Sequence, residues 1–313
     1  MSDRLDEPRT ARVQLASAGA RAMTAEMLSG KPRRDAIRNL LFVSLLFLAI
    51  AIALAGLVAL VTDAFIKGHS RLNADLFTHG TSSFPENAGL QSAILGTLWI
   101  IGFVILFIVP IGIGAAVFLE EYSNKESRLA RLIEVNVQNL AAVPSIIYGL
   151  LGLAFIARSP LNLGFVVLTA SMTLALLVLP TVILAAREAL RAVPPSIREG
   201  SLALGATKWQ TTRRQVLPAA IPGIATGVIL AVSRAIGETA PLIVLGAATF
   251  VTFNPSGPFS GFTAMPLQIF NWVKQPQPEF QALAAAGIIV LLVLLVALNS
   301  FAIYLRNRYE QRW

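Results

Sequence analysis

Arg234 and Glu238 lie one helical turn apart inside an apolar run that extends from Ala219 to Phe250. A charge at the centre of a membrane helix costs roughly 2.5–3.5 kcal/mol on insertion scales, so two of them need a reason to be there. At this spacing their side chains share one face of a helix. Two chemistries fit. A guanidinium grips a phosphate-like oxyanion through several charged hydrogen bonds, and a neighbouring carboxylate would temper that grip. Alternatively, the two charges neutralise each other and hold helices together. Pro241 deprives the Gly237 carbonyl of its usual donor, and Gly237 weakens the helix locally. Irregular backbone at membrane depth persists only where it is buried in protein or lines a wet cavity.

The elements that must position this pair are membrane helices. Of 313 residues, 55% are hydrophobic and only 13% are charged, where an average soluble domain carries about 25% charged residues. Six segments approach or exceed the roughly 20 residues that a bilayer requires. They are Leu40–Val61, Ala93–Leu119, Val135–Ala157, Leu161–Ala186, Ala219–Phe250 and Ala282–Leu305. Arg158-Ser159-Pro160 reads as a tight hairpin between the third and fourth, and the fifth is long enough that it must tilt, bend or protrude. Of the 25 Lys and Arg residues, only Lys67, Arg71, Arg158 and Lys274 fall in loops on one side; Arg234 is within the membrane and the rest lie on the other side. That asymmetry places both termini in the cytoplasm. The formal charge of +8 is therefore a topology signal, with lipid contact as a by-product and no indication of nucleic acid.

The fold class is thus all-α: a polytopic membrane protein of six transmembrane helices. Residues 1–37 read as a mostly disordered basic tail, apolar only near Ala20 to Leu28, with Lys31 to Arg38 against the membrane. Residues 38–306 form the membrane domain, and 307–313 a short C-terminal tail. Phe65, Leu72, Leu76 and Phe77 suggest a short interfacial helix in the first outer loop, and Ile269-Phe270-Asn271-Trp272 an aromatic membrane anchor in the last. Glu120-Glu121-Tyr122 begins an inner loop dense in both charge signs, which reads as a solvated face. No cysteine is present, and His69 and His79 lack metal-binding spacing, so no metal site is expected.

The inner loop 187–218 is the most patterned. Ser196-Ile197-Arg198-Glu199 and Thr207-Lys208-Trp209-Gln210 each fit a capping box. The first would open a short helix from Ile197 to Leu204, stopped by Gly205 at a left-handed position, and the second a helix running toward Leu217-Pro218. The arrangement resembles the signature loop of ABC-importer permeases of the type I architecture. Glu199, Gly200 and Ser201 stand at its acidic and small positions, Gly205 and the following Ala206 and Thr207 at its hinge, and Leu217 and Pro218 at its end. Gln215 replaces an isoleucine there, and neighbouring Val216 is suited to take over its contact. In that family the loop docks on an ATPase subunit. The chain has no phosphate-binding G-x-x-x-x-G-K-[ST] loop, so ATP and Mg would be held by partners and no cofactor by this chain.

Arg234-Ala235-Ile236-Gly237-Glu238 followed by Thr239-Ala240-Pro241-Leu242 resembles the PstA-type phosphate permease, as do Val143–Leu150 and Met265–Trp272. The resemblance covers about Leu40 to Tyr304 and implies an ATP-driven importer of inorganic phosphate at the bacterial inner membrane. Its implied partners are a second, PstC-type permease, two PstB-type ATPase copies and a PstS-type binding protein outside. Arg234 and Glu238 would lie on the substrate path. Many relatives carry a second arginine where this chain has Leu184, and Arg187, nearly one turn further, is the candidate to replace it. Tyr148 and Ser145 are more naturally packing residues. Two rival classes differ in what they need: a secondary transporter would use an ion gradient, and a membrane enzyme would need clustered His, Asp or Cys that the spans do not carry. Sulfate and molybdate are the alternative substrates, disfavoured by Thr239-Ala240-Pro241.

Overall fold

A computed structural model describes residues 33–124, 127–245 and 251–309. Most of the expected tail, the end of the fifth span at residues 246–250 and the last four residues lie outside them. Among the described residues every regular element is helical. The described residues divide into two compact units, with the boundary between Val61 and Thr62.

Helix α1 (Arg33–Gly68) starts earlier than the sequence suggests and runs past Phe65. Within the first unit, every described side chain from Ile37 to Val61 is exposed, including Phe47 at 69% and Leu60 at 72%. A helix apolar on all sides has lipid, not water, as its natural solvent.

The second unit contains α2 (Ala74–Thr78), α3 (Gln91–Val117), α4 (Arg128–Ala142), α5 (Ser145–Leu151), α6 (Val167–Arg191), α7 (Pro195–Ala203), α8 (Lys208–Thr211), α9 (Leu217–Gly237), α10 (Ala240–Val244), α11 (Met265–Val273) and α12 (Pro278–Tyr309). Wide π-helical turns at Phe118–Tyr122, Gly152–Ala157 and Thr212–Val216 extend α3, extend α5 and precede α9. Among the described residues five helices are long and apolar enough to cross a bilayer, and the bent pair Arg128–Ala142 with Ser145–Ala157, counted as one span, makes six.

That bent pair corrects the expected third span, which was a single helix from Val135 to Ala157. Its halves meet at 102°. Pro144 has no N–H to continue the ladder and pushes Val143 into the extended region, at φ −66° and ψ 133°. Tyr148 spans the bend, its hydroxyl donating to the Leu140 carbonyl at 2.8 Å with its ring buried, which is a packing role. The link to the fourth span is also longer than a three-residue hairpin, because α6 begins only at Val167.

α6 packs against α3 on one side and α9 on another. Lipid tails are as apolar as leucine, so close contact between membrane helices depends on small residues and polar bonds. On α9, Gly223, Gly227, Ala231 and Ala235 recur every fourth residue. A side chain at Gly223 would strike Ala189 of α6, and one at Gly227 would strike Ala185. Ser233 Oγ donates to Asn299 Oδ1 at 2.5 Å, and Arg306 Nη1 to Thr226 Oγ1 at 3.0 Å, tying α9 to α12. One buried cluster at mid-height includes Ile100, Val178, Ala235 and Leu242. A second joins Leu76, Leu90, Met265, Trp272 and Phe280 at the end away from the basic loop, and a third joins Leu190, Val216 and Ile224 beside that loop. Trp272 is 2% exposed, so the expected aromatic anchor is a core residue instead. Of the residues expected to form an interfacial helix, α2 holds Leu76, buried, and Phe77, exposed.

Candidate functional site

The apolar run around Arg234 is broken rather than continuous. α9 ends at Gly237, Glu238 is extended at φ −76° and ψ 117°, and α10 resumes at Ala240 with Pro241 in its first turn. The cause is the one the sequence carries: no donor at Pro241 and a flexible glycine before it. Gly149 of α5 leaves room for the Pro241 backbone, where an added Cβ would come within 2.7 Å of its Cα. The break therefore rests on the helix that follows the 102° bend.

Arg234 Nε donates to Glu238 Oε1 at 3.4 Å. This is longer than the roughly 2.7–2.9 Å of a tight charged pair. The Arg234 side chain is 43% exposed and that of Glu238 is 18% exposed, although Ala235 and Ile236 between them are buried. The depth follows from packing. Gly223 faces Ala189 and Gly227 faces Ala185 where α9 and α6 run antiparallel, which brings Arg234 level with Val178, midway along α6. A half-uncovered guanidinium at mid-membrane cannot be left to lipid; another protein or a watered path must face it.

Arg187 lies elsewhere. By the same register it is nine residues from that level, ~13 Å along the axis at 1.5 Å per residue. Its side chain is 8% exposed and paired with Glu120 at 3.6 Å and Glu134 at 3.3 Å. Arg191 meets the same Glu120 carboxylate at 3.2 Å. A cavity of about 210 Å³ lies here, lined by Leu119, Ala130, Arg131, Glu134, Arg187 and Arg191. The structure thus does not bring Arg187 together with Arg234. It also corrects the reading of Glu120-Glu121-Tyr122 as a solvated face, since the Glu120 and Glu121 side chains are only 2% and 9% exposed.

The loop after α6 forms two short helices hinged at glycine, as the spacing implies. α7 starts at Pro195, so Ser196 sits inside its first turn and the first capping box does not form. The second does: Thr207 Oγ1 accepts from Gln210 N at 3.3 Å, and Gln210 Oε1 from Thr207 N at 2.9 Å. Between them Gly205 has φ +83°. Its N–H donates to Leu202 O at 2.9 Å and that of Ala206 to Ser201 O at 3.2 Å, the paired closure of a Schellman end. Glu199, Gly200, Gly205 and Thr207 are exposed, with Ser201 and Ala206 partly so. Leu204 is 90% and Trp209 58% exposed beside a groove of about 500 Å³ that includes Ile197, Ser201 and Gln210. Val216 is fully buried next to exposed Gln215, and Leu217 and Pro218 open α9.

Sequence reading missed Arg198. Its Nη2 and Nε donate to Glu121 Oε1 at 2.7 and 3.1 Å, and its Nη1 to Val193 O at 2.7 Å. Nothing in the local pattern signals a partner 77 positions away.

Residues 108–311 match the family described as the binding-protein-dependent transport system inner membrane component. The phosphate transport system permease protein PstA of Haemophilus influenzae is 32% identical over 265 residues, covering 84% of this chain and 92% of that one. A probable ABC transporter permease protein, YqgI of Bacillus subtilis, is 30% identical over 272 residues, covering 82% and 91%. A chain in the crystal structure of a bacterial alginate ABC transporter superposes with a TM-score of 0.64 at 19% identity, over 89% of this chain and 98% of that one. At that identity the likeness is one of fold.

Proposed function

The chain belongs to the family of binding-protein-dependent transport system inner membrane components, and from that premise we propose that it is a permease subunit of an ATP-driven importer of inorganic phosphate. The observation that carries this reading is the half-uncovered Arg234 at mid-membrane, loosely paired with Glu238 where the backbone breaks. A second, similar permease faces the break and completes a watered path. Arg234 offers positive potential to the passing anion, and Glu238 keeps it from being held, since a path must admit its cargo and also release it. Both termini lie in the cytoplasm. There the exposed loop from Glu199 to Thr207 docks on one of two ATPase copies, which hold ATP and Mg. An extracytoplasmic binding protein delivers phosphate to the opposite side.

The PstA name of a relative with 32% identity favours phosphate over sulfate or molybdate. The test is uptake by proteoliposomes that contain the chain and its co-encoded neighbours. We expect phosphate uptake that requires ATP, persists when ion gradients are collapsed and is not competed by sulfate or molybdate. Arg234→Gln should lower it about 10- to 100-fold, the equivalent of one charged hydrogen bond of roughly 1.5–3 kcal/mol, while the complex still assembles. Uptake driven by a gradient without ATP would replace this reading with a secondary transporter.

A further inference from the structure

Arg198 joins three segments that the backbone leaves unconnected. α6 ends before Pro194-Pro195, and neither proline has an N–H with which to satisfy the carbonyls of the last turn. Arg198, on the first turns of α7, adds donors from the side: Nη2 to Leu190 O, which also accepts from Val193 N at 3.3 Å, and Nη1 to Val193 O, each Arg198 bond at 2.7 Å. The same guanidinium grips the Glu121 carboxylate through Nη2 at 2.7 Å and Nε at 3.1 Å. Glu121 lies on the π-helical turn that ends α3. The pair is largely covered, with side chains 23% and 9% exposed.

The turn that carries Glu121 is tied on both sides. Its preceding residue, Glu120, holds Arg187 and Arg191 of α6. Its following residue, Tyr122, has the Lys208 ammonium 5.2 Å from its ring centroid. Lys208 begins α8, and α8 is bonded to α7 through Ser201 and Thr211, whose hydroxyl oxygens are 2.9 Å apart. The double-proline joint supplies no N–H to bridge the loop and the membrane helices, so side chains, Ile197 packed beside Leu190, Val216 and Ile224 among them, decide whether it acts as a hinge.

We propose that Arg198 is the positioning residue that closes this hinge, so that α7 moves with the ends of α3 and α6 as one body. On the reading that the loop docks on an ATPase, this clasp is what carries the ATPase movement into the membrane. Arg198 touches neither the anion nor the nucleotide. Its removal separates hydrolysis from transport instead of abolishing either binding event.

The test uses the complete importer in proteoliposomes, with ATP hydrolysis and phosphate uptake measured on the same preparation. Arg198→Glu should retain the ATPase subunit and its hydrolysis but lower the phosphate moved per ATP by about tenfold. Glu121→Arg should behave alike, and the double reversal should recover part of the loss, since a carboxylate at position 198 restores the ion pair but cannot donate to Leu190 O and Val193 O. Arg198→Lys, which keeps the charge but not the planar fork, should fall between. A wild-type ratio in the single variants, or a double reversal no better than either single, overturns the proposal. The absence of native cysteine allows a second measurement that does not depend on charge reversal. With Glu121→Cys and Arg198→Cys joined by a short bifunctional thiol reagent, transport should continue, because the clasp stays shut throughout the cycle; arrest on bridging overturns it. If the unaltered chain retains no ATPase, the docking reading itself fails, whatever Arg198 does.

Discussion

A guanidinium and a carboxylate one turn apart do different things according to what covers them. Arg234 and Glu238 touch at 3.4 Å with the arginine side chain 43% exposed, which leaves its charge available to an anion. On the proposed reading, Glu238→Gln removes the counter-charge, so the path should hold phosphate more tightly and release it more slowly. Uptake would then show a lower maximal rate together with a lower half-saturating concentration; a near-normal rate would leave Glu238 as a structural partner only. Glu120 is the opposite case, 2% exposed between Arg187 and Arg191. Breaking a buried pair from one side strands the remaining charge at a cost of about 3–5 kcal/mol. Glu120→Gln should lower the melting temperature of the purified chain in detergent by less than that limit implies, because Arg187 keeps Glu134 and Arg191 keeps Glu188; an unchanged midpoint would show that those two carboxylates suffice.

Elements here are set by where the backbone ladder cannot continue. Pro144 and Pro241 each remove a donor, giving the 102° bend between α4 and α5 and the interruption between α9 and α10. The second was legible because glycine, proline and two charges coincide; the first was not, because Val135 to Ala157 is long and apolar enough to pass as one helix. Gly205 is legible for the same kind of reason. Its φ of +83° is strained for any side chain, although the space around it is open. Gly205→Val should thus distort the junction between α7 and α8 without clashing inside the chain. We expect reduced co-purification of the ATPase, or hydrolysis uncoupled from uptake, with little change in the melting of the permease alone. Normal values of both would remove the docking role from this hinge.

For the molecule as a whole, the uneven distribution of Lys and Arg implies an orientation that can be tested directly. The native chain has no cysteine, so single thiols report from known places. Leu204 is 90% exposed beside the basic loop, and Phe259 is 68% exposed at the other end. In intact cells, Phe259→Cys should react with a membrane-impermeant maleimide, and Leu204→Cys should react only after the membrane is opened. The reverse pattern would invert the topology and place the loop out of reach of any cytoplasmic ATPase. The acidic pair at the end of α3 looks solvated in sequence because its partners lie far along the chain. Glu120 and Glu121 are counter-charges for arginines on α6 and α7, not a surface for water.

Local composition by itself determined the number of spans, the break after Gly237, the hinge at Gly205 and the likeness to importer permeases. Each follows from hydropathy, from a missing donor or from a short motif, all of which act over a few residues. Only the tertiary structure decided that Arg187 belongs to a buried ion cluster, that Trp272 is core and that Arg198 clasps Glu121. Those outcomes depend on which distant side chain comes to rest opposite. In a membrane helix, almost any apolar residue is an acceptable neighbour for lipid, so sequence leaves the facing partner open until the helices pack.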